Sequence, residues 1–261
     1  MKTALKRALH PIRVLGGKFF IRQSDTIIWK AANITATESV EGDYLEFGVF
    51  QGASFVSAFT TIREVYSERS RASRLARLGR QKTAEQWKAM RFFAFDSFQG
   101  LPGLVSVDRR TNAFEQGLYA CDMSSFLRNL RNSGVDMRKV VAVPGWFEDT
   151  CREETIKRFG MKAASIIHVD SDLWESARVV LKFVEPRLVD GTVLIFDDWY
   201  SYRGNPLLGE QRAFREWAES KTDWQFTQYQ KEGPWRNSFI ANRLVDNLNP
   251  AGKSGLDLLP E

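Results

Sequence analysis

The sequence predicts an α/β protein built on a doubly wound, mainly parallel β-sheet. From about residue 43 onward, short apolar runs alternate with segments of helical periodicity, which indicates a sheet covered by helices on both faces. Some strand-like runs, such as residues 193–196, are apolar throughout, as is typical of strands buried on both sides. No apolar run exceeds about four residues, far short of the ~20 that a membrane-spanning helix needs.

The composition is that of an ordinary globular protein with one main domain. The chain has 261 residues, of which 26% are charged, and this excludes wholesale disorder. Its first residues are basic and lack the apolar segment of a secretory signal. Only two cysteines occur, which excludes a disulfide scaffold and a cysteine-rich zinc site but leaves a single disulfide open. We therefore expect a cytoplasmic protein.

Local patterns place the individual elements. The expected strands are residues 43–49, 91–96, 139–144, 164–170, 191–197, 224–229 and 238–241. The expected helices are residues 53–65, 121–132, 174–184 and 210–219, with Asp122 as the N-cap of the second. Residues 1–42 form a less regular N-terminal segment, helical in places, that packs over the sheet or acts as a lid. We expect the main domain to span residues 43–249 and residues 250–261 to form a tail.

Acidic residues and glycines follow several predicted strands. In an open parallel sheet, ligands bind at the carboxyl ends of the strands, so the function is expected at that edge. Gly48 and Gly52 would let the backbone approach a ligand, but their spacing is not the dinucleotide fingerprint G-x-G-x-x-G. Asp96 ends the second strand, where it is placed to accept both hydroxyls of a ribose. The structural alternatives are a tight strand–helix turn and a capping aspartate.

Four aspartates follow two further strands. Asp170 and Asp172 end one strand, and Asp197 and Asp198 end the next. Carboxylates so close together repel unless they are protonated, paired or bound to a cation. An all-carboxylate site suits Mg²⁺ or Mn²⁺ and does not suit zinc. The alternative is helix capping by Asp172 and a solvated Asp197–Asp198 pair, and His168 is expected to be a packed strand residue rather than a ligand.

One segment is strongly basic. Residues 63–91 carry nine Lys/Arg against three Asp/Glu. The segment is either a solvated helix or loop face, or a patch for an anionic substrate, a lipid surface or a nucleic acid. Aromatic residues do not interleave with the basic ones as in a nucleic-acid platform, so no nucleic-acid partner is expected.

Five motifs occur in a fixed order within roughly residues 40–220: LEFGVFQGAS, FDSFQGLP, VPGWFEDT, HVDSDLWES and LIFDDW. In this order and at these intervals they resemble the macrocin-type (TylF-like) O-methyltransferase family. The resemblance implies a class I methyltransferase fold, Rossmann-like, with seven strands. It also implies S-adenosylmethionine as the cofactor and sugar hydroxyls of natural products as the methyl acceptors.

The same resemblance implies roles for individual residues. The cofactor is expected to contact Glu46, Phe47, Gly48, Val49, Gly52, Ser54, Asp96, Ser97, Phe98, Gly145, Trp146 and Phe147. Asp170, Asp197 and Asp198 are expected to bind Mg²⁺ or Mn²⁺, and Asp172 to act as the general base.

Two other functions stay open at this point. Asp170-Ser-Asp172 also matches the D-x-D metal motif of glycosyltransferases, although residues 1–40 show no strand run suited to their nucleotide site. A non-catalytic protein on a methyltransferase fold is the other alternative. We expect a small hydroxylated acceptor, such as a sugar. The first 22 residues are expected to form a mobile cover or a contact with a second copy of the chain, with a membrane-surface role as the lesser alternative.

Overall fold

The computed structural model describes residues 13–15, 18–20, 26–72, 77–104, 107–110 and 114–244. The predicted tail and most of the first 22 residues lie outside the described residues. The domain boundaries at residues 42 and 249 therefore stay predictions.

The strands in the described part of the chain are β1 (Arg13–Leu15), β2 (Lys18–Phe20), β3 (Asp43–Phe47), β4 (Phe92–Asp96), β5 (Val140–Pro144), β6 (Ala164–Val169), β7 (Thr192–Phe196), β8 (Trp224–Glu232) and β9 (Arg236–Arg243). β1 and β2 form a separate antiparallel pair. The other seven form one sheet in the order β5-β4-β3-β6-β7-β9-β8. Its first five strands are parallel, and β9 and β8 are antiparallel to their neighbours. The predicted seven-stranded, mainly parallel sheet is confirmed.

The helices in the described part are α1 (Ile27–Thr37), α2 (Ala53–Arg71), α3 (Arg77–Ala89), α4 (Met123–Asn132), α5 (Phe147–Thr150), α6 (Glu153–Phe159), α7 (Trp174–Val184) and α8 (Gly209–Glu219). Helices α1 to α4 pack on one face of the sheet, and α5 to α8 on the other. Side chains alternate between the two cores along each strand: Leu45 and Phe47 pack with α7, whereas Tyr44 packs with α1 and α2. The sheet is therefore buried on both sides, as its apolar strands require.

The basic segment is distributed over the end of α2, four residues outside the described part, and α3. Its last residue, Arg91, is a structural side chain. The guanidinium pairs with Asp43 at 2.7 Å and donates to the carbonyl oxygen of Phe159 at 2.6 Å. These contacts tie the start of β4 to β3 and to the end of α6.

The topology determines where a ligand can enter. From β3 the chain continues to β4 on one side, whereas β6 and β7 lie on the other side. The strand order thus reverses between β3 and β6. In open α/β sheets, the crevice at such a reversal, beyond the carboxyl ends of the strands, is the usual binding site.

Candidate active site

A cavity of about 410 Å³ lies at the carboxyl ends of β3, β4, β6 and β7. The predicted site residues that line it are Gly48, Val49, Asp96, Ser97, Trp146, Phe147, Asp170, Asp172, Asp197 and Asp198. The predicted residues that are not part of this lining are Glu46, Phe47, Gly52, Ser54, Phe98 and Gly145. One cavity therefore brings together the glycine turn after β3, Asp96 at the end of β4 and the four aspartates that follow β6 and β7.

The glycine turn after β3 is a point of close approach between backbones. Gly48 has φ +90°, and a Cβ atom there would lie 1.8 Å from the carbonyl oxygen of Asp170. Gly52, with φ +91°, makes room for α4, because its Cβ would lie 2.7 Å from Cδ1 of Leu130. Glycine is therefore required at both positions by the protein itself. The turn also places the predicted cofactor loop directly against the first aspartate of the acidic cluster.

Asp96 connects the turns that follow β3 and β4. Its Oδ2 atom accepts hydrogen bonds from the backbone amides of Val49 at 2.8 Å and Phe50 at 3.1 Å. Its Oδ1 atom accepts one from the amide of Phe98 at 2.7 Å. The carboxylate thus orders the loop that lines the cavity while lying in the lining itself.

Glu46 lies outside the cavity lining and is fully buried, at 0% exposure. The hydroxyls of Tyr44 and Ser54 each donate to one of its oxygens at 2.5 Å. Nδ1 of His168, in the neighbouring strand, lies 3.9 Å from Oε2. The Glu46 carboxylate is therefore held by protein partners, and its predicted contact with a cofactor stays a prediction.

The four aspartates fall into two overlapping groups. One oxygen each of Asp170, Asp172 and Asp198 lies within 4.8 Å of the others. A second group within 4.8 Å shares Asp170 and adds His168 and Asp197. The family resemblance implies Asp170, Asp197 and Asp198 as ligands with Asp172 as the base, and these roles stay predictions. The geometry puts Asp172 beside Asp198, and Asp197 beside His168.

The acidic side chains of the cluster shift one another's pKa values. Burial, followed by the charge of Asp197, raises the pKa of Asp170 well above its usual value. Burial, followed by the charge of Asp198 and a hydrogen bond with it, raises the pKa of Asp172 in the same way. A divalent cation would relieve this crowding. Because the donors of the first group are all carboxylate oxygens, the residues fit Mg²⁺ or Mn²⁺.

Asp197 differs from the other aspartates because two basic side chains hold it. Nε2 of His168 lies 3.0 Å from Oδ1, and Nε of Arg236 donates to the same oxygen at 2.5 Å. Burial favours a higher pKa for Asp197, but these two partners outweigh it and lower the pKa to about 2. Burial also favours a lower pKa for His168, yet its hydrogen bond with Asp197 and the nearby Glu46 carboxylate raise that pKa to about 10. Asp197 is thus an ionised carboxylate with one oxygen already engaged.

Glu210, the second residue of α8, is a site residue that the sequence analysis missed. It is 0% exposed. Its Oε1 accepts from the amide of Ser171 at 3.2 Å, and its Oε2 accepts from the amide of Asp198 at 3.0 Å. An acidic residue in the first turn of a helix is common, so no local pattern distinguished it. Arg236 was also missed. It begins β9, 39 positions after Asp197 in the sequence, and no local pattern links the two residues.

The start of α7 is capped from a distance. Oδ1 of Asp108 accepts from the backbone amide of Trp174 at 2.9 Å. Leu173 precedes the helix, and its side chain makes no capping bond. The alternative in which Asp172 caps this helix is therefore wrong, which leaves the Asp172 carboxylate directed to the cavity and to Asp198.

Aromatic side chains form part of the cavity wall and are partly open to solvent. Tyr119 is 48% exposed and Trp235 is 53% exposed. Tyr119 packs edge-to-face on Phe50, with ring centroids 5.8 Å apart. The sequence analysis did not single out Tyr119 or Trp235, because each lies within a turn that has no periodic pattern.

Two expectations about the chain as a whole can be compared with the structure. Cys121 and Cys151 are both free thiols, so the single disulfide left open is not formed. Among the helices of the described residues, none combines the length and the apolar character needed to cross a bilayer.

Comparison with known proteins supports the same family. The family model for Macrocin-O-methyltransferase (TylF) matches residues 80–224. An 8-demethyl-8-(2,3-dimethoxy-alpha-L-rhamnosyl)-tetracenomycin-C 4'-O-methyltransferase from Streptomyces olivaceus is 28% identical over 167 residues, covering 62% of this chain and 54% of the relative. A mycinamicin III 3''-O-methyltransferase from Micromonospora griseorubida is 29% identical over 170 residues, covering 62% of this chain and 57% of the relative. The chain thus spans about half the length of the curated relatives that it matches.

Solved structures agree on the fold. The O-methyltransferase NovP superposes with a TM-score of 0.61 at 20% identity, covering 83% of this chain and 78% of the other. A calicheamicin methyltransferase superposes with a TM-score of 0.60 at 21% identity, covering 84% and 80%. Both likenesses show the α/β methyltransferase fold. Since the family model also covers more than half of the sequence, the chain belongs to the macrocin-O-methyltransferase (TylF) family of enzymes.

Proposed function

We propose that this protein transfers a methyl group from S-adenosylmethionine to a hydroxyl of a sugar or a glycosylated small molecule, with the help of a divalent cation. The observation that carries the proposal is the single cavity that joins the glycine turn and Asp96 to four clustered aspartates. Family membership supports methyl transfer. The name of the Streptomyces olivaceus relative specifies a rhamnosyl-bearing tetracenomycin as its substrate, which supports a sugar-linked acceptor here.

The cofactor would lie on the β3–β4 side of the cavity. Gly48 and Val49 offer backbone there, and Trp146 and Phe147 supply apolar wall. Asp96 holds three loop amides in place and would accept a ribose hydroxyl with its remaining acceptor capacity. When bound, S-adenosylmethionine supplies an activated methyl group, and a divalent cation lowers the pKa of an oxygen that it touches.

The acceptor hydroxyl would lie on the β6–β7 side. Asp170 and Asp198 would hold the cation there, with Asp197 as a third ligand through the carboxylate oxygen that does not contact His168 and Arg236. Asp172 would take the proton of the hydroxyl, since an alcohol is a poor nucleophile while it keeps that proton. Asp172 lines the same cavity as the other three aspartates, which places its carboxylate within the site.

The substitution Asp172→Asn tests the proposed base. We expect kcat to fall by about 10²–10⁴, because general-base catalysis typically contributes that much. Titration calorimetry should give unchanged affinities for S-adenosylhomocysteine and Mg²⁺. The matched control is Asp149→Asn, which removes an exposed carboxylate paired only with Arg152 across 3.0 Å. A fully active Asp172→Asn enzyme would contradict the assignment, and a loss of Mg²⁺ affinity would make Asp172 a ligand, as its place beside Asp170 and Asp198 also allows.

Two further measurements test the cation and the reaction class. EDTA should abolish activity and added Mg²⁺ should restore it, so full activity in EDTA would exclude the metal. Binding of S-adenosylhomocysteine without binding of uridine diphosphate would favour methyl transfer over glycosyl transfer, and the opposite result would reverse the conclusion.

A further inference from the structure

We propose that Glu210 is a positioning residue that holds the two acidic loops at the separation needed for them to share one cation. The inference rests on the proposed function, because it concerns the same cavity. It adds a residue to which no role in the reaction has been assigned and which does not itself line the cavity.

The contacts of Glu210 link the two loops directly. Ser171 is the middle residue of Asp170-Ser171-Asp172, and its amide donates to Oε1 of Glu210 at 3.2 Å. Asp198 follows β7, and its amide donates to Oε2 at 3.0 Å. One rigid carboxylate therefore spans the loop after β6 and the loop after β7.

The loops need such a link because their own hydrogen bonds end early. The last ladder bond on one side is donated by the amide of Asp170 to the carbonyl oxygen of Phe47. The last one on the other side is donated by the amide of Asp197 to the carbonyl oxygen of Val169, and both measure 2.9 Å. Beyond these bonds no further ladder bond joins the two segments in the described part of the chain, and their aspartates lie close together. Glu210 supplies the acceptors for the next amides on both sides.

The position of Glu210 favours a geometric role. The side chain is fully buried, and its two oxygens accept from backbone amides of two different loops. The side chain therefore provides two acceptor oxygens at a fixed separation.

The test compares Glu210→Gln and Glu210→Ala with the control Glu219→Gln on the same helix. Gln keeps one acceptor oxygen and Ala keeps none, whereas the Glu219 side chain is 73% exposed and lies 4.0 Å from Arg215. Mg²⁺ affinity, measured by calorimetry without turnover, should fall about 10–100-fold for Glu210→Ala and less for Glu210→Gln, the usual range for residues that orient metal ligands. Affinity for S-adenosylhomocysteine should stay within twofold, and saturating Mg²⁺ should restore much of kcat.

A second readout does not depend on metal. In the metal-free protein, amide hydrogen exchange over residues 169–174 and 196–200 should accelerate in Glu210→Ala and not in Glu219→Gln. Unchanged exchange in these two loops, or unchanged Mg²⁺ affinity in a wild-type protein that binds the ion, would overturn the role of Glu210. Accelerated exchange in a protein that binds no divalent cation at all would support the link between the loops and would refute the metal dependence of the proposed function instead.

Discussion

The ion pair between Arg236 and Asp197 gives the sharpest test of the site electrostatics. The substitution Arg236→Met keeps most of the aliphatic stem and removes the charge that lies 2.5 Å from Asp197. A hydrogen bond to a charged group contributes about 1.5–3 kcal/mol. The Arg236 side chain is 35% exposed, so solvent screening argues for the lower end, about 1.5 kcal/mol. For a chain of this size that corresponds to a melting temperature lower by roughly 3–6 °C.

The assay is thermal unfolding of the metal-free protein followed by circular dichroism. The control is Arg138→Met, because Arg138 pairs with Asp136 at 2.9 Å but its side chain is 90% exposed. A pair so exposed should contribute about 0–1 kcal/mol, so this variant should unfold close to the wild type. Saturating Mg²⁺ should reduce the difference in melting temperature between Arg236→Met and the wild type, because the cation supplies positive charge to the same cluster. Equal melting temperatures for the two variants without Mg²⁺ would refute the reasoning.

Three further predictions concern the cavity. Asp96→Ala should weaken binding of S-adenosylhomocysteine at least tenfold in calorimetry. The substitution removes a carboxylate from the cavity wall and leaves three loop amides without their acceptor. Unchanged affinity would show that Asp96 is not part of the cofactor site. Trp235→Ala should raise the KM for the acceptor several-fold with kcat within twofold in steady-state kinetics, and an unchanged KM would place the acceptor elsewhere. Some carboxyl groups have a higher pKa in the folded protein than in the unfolded chain. Such a group stabilises the folded protein below its unfolded pKa of about 4, and this stabilisation is lost as pH rises through the folded pKa. Asp172→Asn should therefore gain stability relative to the metal-free wild type as pH rises above about 4, because only the wild type must then ionise a buried carboxyl group beside Asp198. A melting-temperature difference independent of pH would contradict this.

Local sequence patterns determined the seven strands of the main sheet, the helices α2, α4, α7 and α8, and the family. The helix predicted over residues 174–184 is α7 without a shift at either end. Asp122 caps α4 as predicted, accepting from the amide of Ser125 at 2.9 Å. The family resemblance, carried by five motifs between elements, is confirmed by the family model. These features were predictable because hydrophobic periodicity, caps and turn residues act over a few neighbouring positions.

Only the tertiary structure decided how the acidic residues are held. Glu210 reaches Ser171 across 39 positions, Arg236 reaches Asp197 across 39, and Asp108 reaches Trp174 across 66. The sequence shows which face of a helix or strand is apolar, but it does not show which distant side chain lies opposite that face. The strand ends placed the four aspartates at one edge in advance, because parallel strands end together. Their grouping, their ionisation and the carboxylate that joins their loops depend on contacts that exist only once the sheet has assembled and excluded water from its edge.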